Sequence, residues 1–145
     1  MPRRIVVATR NAGKMREIRA LLAEIPTQLL SLEDLAEPIQ LDEPFDSFWA
    51  NARHKASKVA AATGEWGLAD DSGLEVDALD GWPGVRSARS AGRCAGDADR
   101  VAVLLQRLGD VPAESRTARF VCVIALASPS GEVWQWRGTC EGVIA

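Results

Sequence analysis

The sequence has little cysteine and almost no histidine, which limits the sites that it can build. Its cysteines are Cys94, Cys122 and Cys140, and their odd number and wide spacing exclude a disulfide framework and a zinc site. Free thiols predict a reducing compartment. The single histidine, His54, falls inside a predicted helix, and we interpret it as structural.

Excess positive charge and long apolar runs are also missing. The formal net charge of -3 argues against a surface for duplex nucleic acid, which needs a basic footprint. The run from Val121 to Ala127 has the length of a strand and is too short to span a bilayer. The apolar stretch after Arg4 is too short for the core of a signal peptide. We therefore expect a cytoplasmic protein whose partners include neither a membrane nor a nucleic acid polymer.

The remaining composition is that of an ordinary globular protein. With 145 residues, 47% of them hydrophobic and 26% charged, the chain has the size of one domain with a single core. It contains no repeats and no low-complexity segment.

The first predicted unit is a strand, a loop and a helix. The run from Ile5 to Ala8 predicts a buried central strand, and apolar residues at helical spacing from Met15 to Ile25 predict a helix closed by Pro26. The loop from Thr9 to Lys14 resembles a phosphate-binding unit, because N–H groups at a helix start and a nearby lysine favour an anion. It lacks the full P-loop pattern, and an ordinary turn with Asn11 as N-cap explains it equally well.

A second helix is predicted from Ser47 to about Thr63, after an acidic strand or loop passage over residues 29 to 46. Its buried stripe is Phe48, Ala52, Ala56, Val59 and Ala60. Asn51, Lys55 and Lys58 share another face of this helix. Such a face is usually solvated, and it has a functional role only if it is directed at an anion.

Two adjacent carboxylates, Asp70 and Asp71, follow a short predicted strand from Trp66 to Ala69. Ionised neighbours repel each other, so a cation or a shared proton is expected to offset the repulsion. Oxygen ligands of this kind suit magnesium. The alternative is a solvated turn, because Asp, Ser and Gly all favour turns.

The second half of the chain predicts a loop, a helix and a hairpin. The passage from Asp80 to Gly92 is long and irregular, and Asp97 is expected to cap a helix that ends before Gly109. Thr117 to Ala127 and Glu132 to Arg137 predict two strands joined by a tight turn, with two tryptophans packed on one face.

Together these motifs resemble the inosine triphosphate pyrophosphatase family, which hydrolyses non-canonical purine nucleoside triphosphates. The resemblance covers essentially the whole chain. The matching positions are Thr9, Asn11 and Lys14; Ser47, Phe48, Asn51, Ala52, Lys55 and Ala56; Ala69 to Gly73; Asp80, Gly81, Pro83, Gly84, Val85, Ser87, Ala88 and Arg89; and Arg119, Phe120 and Cys122.

The resemblance implies an α/β fold with a mixed twisted sheet flanked by helices, in a two-lobed form with a central cleft and usually a homodimer. The implied activity is magnesium-dependent hydrolysis of ITP, dITP or XTP to the monophosphate and pyrophosphate by a single domain over residues 1 to 145. The implied metal ligands are Glu43, Asp70 and Asp71, and Asp71 matches the general base. The implied substrate-binding residues are Thr9, Arg10, Asn11, Ala12, Gly13, Lys14, Lys55 and Ser72.

The chain departs from the family pattern in two places. Ala50 stands where the family usually has a glutamate before the helix asparagine. The base-recognition segment, Phe-Gly-Tyr-Asp followed by a lysine and Ser-His-Arg, has no counterpart, since the chain has no tyrosine and its only histidine is His54. We therefore expect a domain truncated at its C-terminal end relative to the family. The alternative function is a nucleotide-binding or interaction module that has lost catalysis together with that segment.

Overall fold

The computed structural model describes residues 3–92 and 96–145, so Cys94 lies outside the described residues, whereas Cys122 and Cys140 are free thiols. None of the helices within those two ranges is long and apolar enough to cross a membrane. The main elements in chain order are β1 Arg3–Val7, α1 Ala12–Leu21, β2 Thr27–Ser31, α2 Phe48–Thr63, β3 Trp66–Val76, α3 Asp97–Leu108, β4 Thr117–Ala127 and β5 Val133–Val143.

The strands form one sheet in the order β2-β1-β3-β4-β5. β1 pairs in parallel with both β2 and β3, and Ile5 is the register partner of Leu29 on one side and Trp66 on the other. Val6 and Val7 are buried, which confirms that this strand is central. The predicted mixed sheet with flanking helices is likewise confirmed.

The chain divides into two compact units. One comprises Met1–Asp70 and Val123–Trp136, and the other comprises Asp71–Cys122 and Arg137–Ala145. The first unit contains β1, α1, β2 and α2. The second has its own apolar cluster, with Val76, Leu108 and Ala118 buried at its centre, packed by Leu74, Leu79, Leu104, Val111 and Ile144.

Local signals determine the bounds of α2, as predicted. The Ser47 side chain accepts a hydrogen bond from the Ala50 N–H at 3.0 Å, and Gly64 ends the helix in a left-handed conformation with φ 70°. All five residues of the predicted apolar stripe are buried. The helix therefore has a fixed rotation about its axis, which determines where its polar residues lie.

Gly67 of β3 lies in close contact with α2, and this contact predicts a large effect on stability. A Cβ at this position would lie 2.3 Å from the Ala56 carbonyl oxygen, which is main chain and cannot rotate away. We expect Gly67→Ala to lower the free energy of unfolding by about 3 kcal/mol through overpacking, as measured by urea denaturation.

The matched control is Gly138→Ala in β5, where an added Cβ meets nothing within 4 Å. This variant is expected to change the free energy of unfolding by less than about 0.5 kcal/mol. Equal stability of the two variants would contradict the close approach of β3 to α2.

The acidic segment is not a turn, so the predicted end of the strand at Ala69 and the alternative of a solvated turn are both wrong. β3 is continuous over 11 residues, Trp66–Val76, and includes Asp70, Asp71 and Ser72. The register of β3 with β1 ends at Leu68, yet β3 stays extended through these residues as a member of the sheet, so tertiary context overrides the local turn preference of Asp, Ser and Gly. Successive side chains of a strand point to opposite faces, so Asp70 and Asp71 leave the strand in different directions.

Helix α1 is shorter than its apolar pattern predicts. It ends at Leu21, and the Leu21 side chain is 81% exposed. In the first unit an apolar groove of about 1110 Å³ lies beside α1 and its sheet strands. The residues lining it are Arg3, Ile5, Ile18, Leu21, Leu22, Ile25, Pro26, Thr27, Trp66, Leu68, Ile124, Leu126 and Trp136.

Other differences are small. Gly96, not Asp97, is the N-cap of α3, and the Asp99 carboxylate accepts a hydrogen bond from its N–H at 3.0 Å. β5 extends to Val143, beyond the predicted end at Arg137. Trp134 stacks on Trp66 with ring centroids 5.9 Å apart, whereas Trp136 is half exposed.

Candidate active site

Asn11 organises the start of α1 as an N-cap. Its Oδ1 accepts hydrogen bonds from the Gly13 N–H at 2.8 Å and the Lys14 N–H at 3.2 Å, while the Thr9 hydroxyl accepts from the Asn11 N–H at 3.0 Å. The capping interpretation of this loop is confirmed. Two of the N–H groups that an anion would use are thus engaged by the cap, so the side chain of Lys14 is the stronger candidate for contact with a ligand.

The side chain of Lys14 extends to the neighbouring strand. Its Nζ donates to Asp70 Oδ2 at 2.9 Å. This contact depends on the parallel pairing of β1 with β3, because the carboxyl ends of parallel strands lie at the same edge of a sheet. A hydrogen bond of 2.8 Å from the Ala8 N–H to the Leu68 carbonyl continues this pairing towards the loop.

Lys55 of α2 contacts both Asp70 and a further acidic residue, Glu43. Its Nζ donates to the main-chain oxygen of Asp70 at 2.5 Å and to Glu43 Oε2 at 3.2 Å. Lys14, Glu43, Lys55 and Asp70 are hereafter called the lysine–carboxylate cluster. All four belong to the first unit, although 56 residues of sequence separate Lys14 from Asp70.

Burial makes this cluster electrostatically costly. The side chains of Lys55 and Asp70 are only 12% and 13% exposed, whereas those of Glu43 and Lys14 are 36% and 42% exposed. Removing a charge from water costs several kcal/mol unless other charges and hydrogen bonds compensate it. Two ammonium groups and two carboxylates are held together here, an arrangement suited to binding an anion together with a cation.

The donor set is compatible with magnesium. The Glu43 carboxylate accepts from Lys55 and the Asp70 carboxylate accepts from Lys14, while the main-chain oxygen of Asp70 also accepts from Lys55. Magnesium is commonly bound through one or two carboxylates, with water and substrate phosphates completing its coordination. Within residues 3–92 and 96–145 no group of three or more His, Cys, Asp or Glu side chains forms a cage for a metal ion. The residues present therefore fit an ion that arrives together with a phosphorylated ligand.

The other predicted substrate residues are distributed differently. The guanidinium of Arg10 donates to the Ile39 carbonyl oxygen at 3.2 Å and lies 3.7 Å from Glu33, so it holds the acidic passage after β2. A cavity of about 340 Å³ is lined by Arg10, Asn11, Ala12, Met15, Arg16, Arg19, Ser31, Glu33 and Asp34. Arg10, Asn11 and Ala12 of the predicted loop therefore line this cavity, whereas Lys14 belongs to the lysine–carboxylate cluster.

Asp71 and Ser72 belong to the second unit and follow Asp70 directly in β3. Asp71 is only 5% exposed, whereas Ser72 is exposed. A carboxylate is rarely buried to this degree without a compensating interaction.

Sequence reasoning missed the role of Asn51. We predicted that it shares a solvated face with Lys55 and Lys58, but its exposed fraction is 0%. Its side chain accepts from the Phe45 N–H and donates to the Phe45 carbonyl oxygen, both at 3.0 Å. The available signals were its spacing from Lys55 and its match to the helix motif of the family, and neither indicates which loop the amide binds.

His54 also contacts the segment around Glu43. Its Nε2 lies 2.7 Å from Asp42 Oδ1, and its ring makes an edge contact with Phe45 at a centroid distance of 5.7 Å. The hydrogen bond with His54 lowers the pKa of Asp42 below its usual value, and the positive charge of Lys58 acts in the same direction. Asp42 is thus a carboxylate at neutral pH, which maintains the contact.

Comparison with known proteins assigns the chain to a family. The sequence profile of the Ham1 family matches residues 5–145. The chain belongs to the Ham1 family. A dITP/XTP pyrophosphatase of Geobacter sulfurreducens is 53% identical over 141 residues, covering 97% of this chain and 71% of that protein. A dITP/XTP pyrophosphatase of Exiguobacterium sibiricum is 51% identical over the same shares of the two chains.

Solved structures support the Ham1 fold. The Staphylococcus aureus Ham1 protein superposes with a TM-score of 0.88 at 36% identity, covering 99% of this chain and 72% of that one. A nucleoside-triphosphatase, dITP/XTP pyrophosphatase, from Mycobacterium abscessus has a TM-score of 0.86 at 44% identity, with 98% and 74% covered. The resemblance drawn from the sequence motifs is therefore confirmed, and it extends to the fold.

Proposed function

We propose that this Ham1 protein is a nucleoside triphosphate pyrophosphatase that hydrolyses non-canonical purine nucleoside triphosphates such as ITP, dITP and XTP to the monophosphate and pyrophosphate. The observation that carries the proposal is the lysine–carboxylate cluster, which holds Lys14 and Lys55 against Asp70. The names of the relatives, dITP/XTP pyrophosphatases, support the substrate class.

The two lysines provide the cations that the substrate needs. A triphosphate carries several negative charges, and its transfer reactions are accelerated chiefly by positioning and by neutralising charge. Lys14 and Lys55 bind the phosphates, while Glu43 and Asp70 fix the orientation of the two ammonium groups. Glu43 and Asp70 would hold magnesium, with Asp71 as the third ligand that the family resemblance implies, and the ion would neutralise further phosphate charge. Thr9, Arg10, Asn11, Ala12, Gly13 and Ser72 complete the proposed substrate contacts.

Asp71 is the proposed general base. Its carboxylate accepts a proton from a water molecule while the water oxygen attacks the α-phosphorus. The bond from the α-phosphorus to the bridging oxygen breaks, and pyrophosphate leaves with the electron pair. The resemblance to the inosine triphosphate pyrophosphatase family, in which this position matches the general base, supports this role.

Further proposals concern the context of the enzyme. We propose a homodimer in the cytoplasm that acts on free nucleotides, with residues 1–145 forming a single pyrophosphatase domain. The family resemblance and the reduced cysteines support this setting.

A pyrophosphate-release assay tests the proposed function. We expect magnesium-dependent release from ITP, dITP and XTP at higher kcat/KM than from ATP or GTP. The control is the same assay with a chelator in place of magnesium. Calorimetric binding of ITP without turnover after long incubation would instead support the nucleotide-binding module. Neither binding nor turnover would contradict both functions.

A further inference from the structure

We infer that Asn51 is a positioning residue that fixes the carboxylate of Glu43 by fastening the loop that carries it to α2. The role of Glu43 as a magnesium ligand rests on the proposed function. The attachment of the loop to α2 rests on the observed hydrogen bonds between Asn51 and Phe45. Asn51 contacts neither phosphate nor metal in this account, and it acts through the main chain of Phe45.

The amide of Asn51 is matched to its target. One side chain satisfies both the N–H and the carbonyl oxygen of Phe45, at 3.0 Å each. A side-chain amide is neutral and both donates and accepts, so it pairs both main-chain groups of a residue outside regular structure without adding a charge. Asn51 is completely buried, whereas Phe45 is 45% exposed, so the amide side of each bond is shielded from water.

The loop is held on both sides of Glu43. Phe45, which is fastened by Asn51, lies two residues after Glu43, and Asp42, which contacts His54, lies directly before it. The Asp42 side chain is 63% exposed, so its pair with His54 contributes less than the buried amide. Asn51 is therefore the main attachment, and His54 is a secondary one.

The attachment and the functional contact are on the same helix face. Asn51 and Lys55 are four residues apart on α2, so their side chains are neighbours on its surface. Asn51 fixes the position of the loop relative to the helix. One turn later, Lys55 Nζ donates to Glu43 Oε2 at 3.2 Å. Helix α2 thus determines the distance between Glu43 and Lys55, because it carries Lys55 and also holds, through Asn51, the loop that carries Glu43.

The test compares Asn51→Ala with Val59→Ala, a truncation of a completely buried α2 residue outside the loop contacts. We expect Asn51→Ala to raise the magnesium concentration for half-maximal activity about tenfold, the usual effect of losing a group that orients a metal ligand. Calorimetry of magnesium with each protein is expected to show the same shift in affinity. The kcat at saturating magnesium changes much less.

Hydrogen exchange provides a readout that needs neither metal nor catalysis. The main-chain amides of Glu43, Phe45 and Asp46 are expected to exchange faster in Asn51→Ala than in Val59→Ala, whereas Pro44 has no N–H to exchange. If Asn51→Ala does not fold, Asn51→Asp replaces it, because it keeps the acceptor for the Phe45 N–H and loses the donor to the carbonyl oxygen. Equal magnesium affinity and equal exchange in the Asn51 and Val59 variants would overturn the inference. A wild-type chain without turnover would count against the proposed function alone, since calorimetry and exchange still measure the loop.

Discussion

Replacing Asp71 by asparagine is expected to lower kcat for pyrophosphate release about 1000-fold, because a positioned general base contributes about 10²–10⁴-fold. Asparagine has the shape of aspartate but does not accept the proton of the attacking water. Since Asp71 is 5% exposed, the isosteric change preserves packing better than alanine would. Stopped assays of pyrophosphate release from ITP, with thermal unfolding measured in parallel, provide the data.

Asp70→Asn is the matched comparison, because it changes the preceding residue of the same strand in the same way. Asp70 Oδ2 accepts from Lys14, so this variant weakens the lysine–carboxylate cluster and is expected to raise KM for ITP and the magnesium requirement. Full activity of Asp71→Asn would exclude it as the base. A magnesium requirement raised by Asp71→Asn and unchanged by Asp70→Asn would reverse the proposed roles.

Replacing Lys55 by methionine is expected to lower kcat/KM for ITP about 10²–10³-fold, the effect of removing one group that stabilises charge in the transition state. Methionine keeps most of the length of the side chain and removes its ammonium group. The loss also leaves Glu43 Oε2 and the Asp70 carbonyl oxygen without the donor that joins them. Both binding and turnover are expected to fall, because triphosphate and transition state both carry the charge.

Arg53→Met is the control for Lys55→Met. Arg53 is exposed on the same helix, and its replacement changes the net charge by the same amount. It is expected to leave kcat/KM within about twofold, because exposed charges are well screened by salt. A similar loss in both variants would mean that general electrostatic attraction, and not a specific contact of Lys55, determines the activity.

Elements with strong local signals were predicted well. Helix α2 has a serine N-cap, a regular apolar stripe and a glycine in the left-handed conformation at its end, and its predicted bounds agree with the structure. β4 was also predicted with its observed bounds, Thr117–Ala127, because a run of β-branched and apolar residues ends at a tight turn. In both cases the residues that define the element are neighbours in sequence.

Predictions failed where partners distant in sequence decide the structure. The segment Asp70 to Ser72 has the composition of a turn, but it continues strand β3 as a member of the five-stranded sheet. Apolar spacing continues beyond Leu21, yet α1 ends there, and Leu21 is exposed beside an apolar groove. Asn51 was assigned to a face that is usually solvated, although it is completely buried and hydrogen-bonded to the Phe45 main chain.

The sequence by itself determined the chemical groups of the candidate site and the family, because these depend on residue types in a fixed order. Only the tertiary structure decided which groups meet. Lys14 reaches Asp70 because β1 and β3 pair in parallel, and Lys55 reaches Glu43 because the loop before α2 is fastened to that helix. Contacts across such separations result from packing of whole elements, which short-range patterns do not encode.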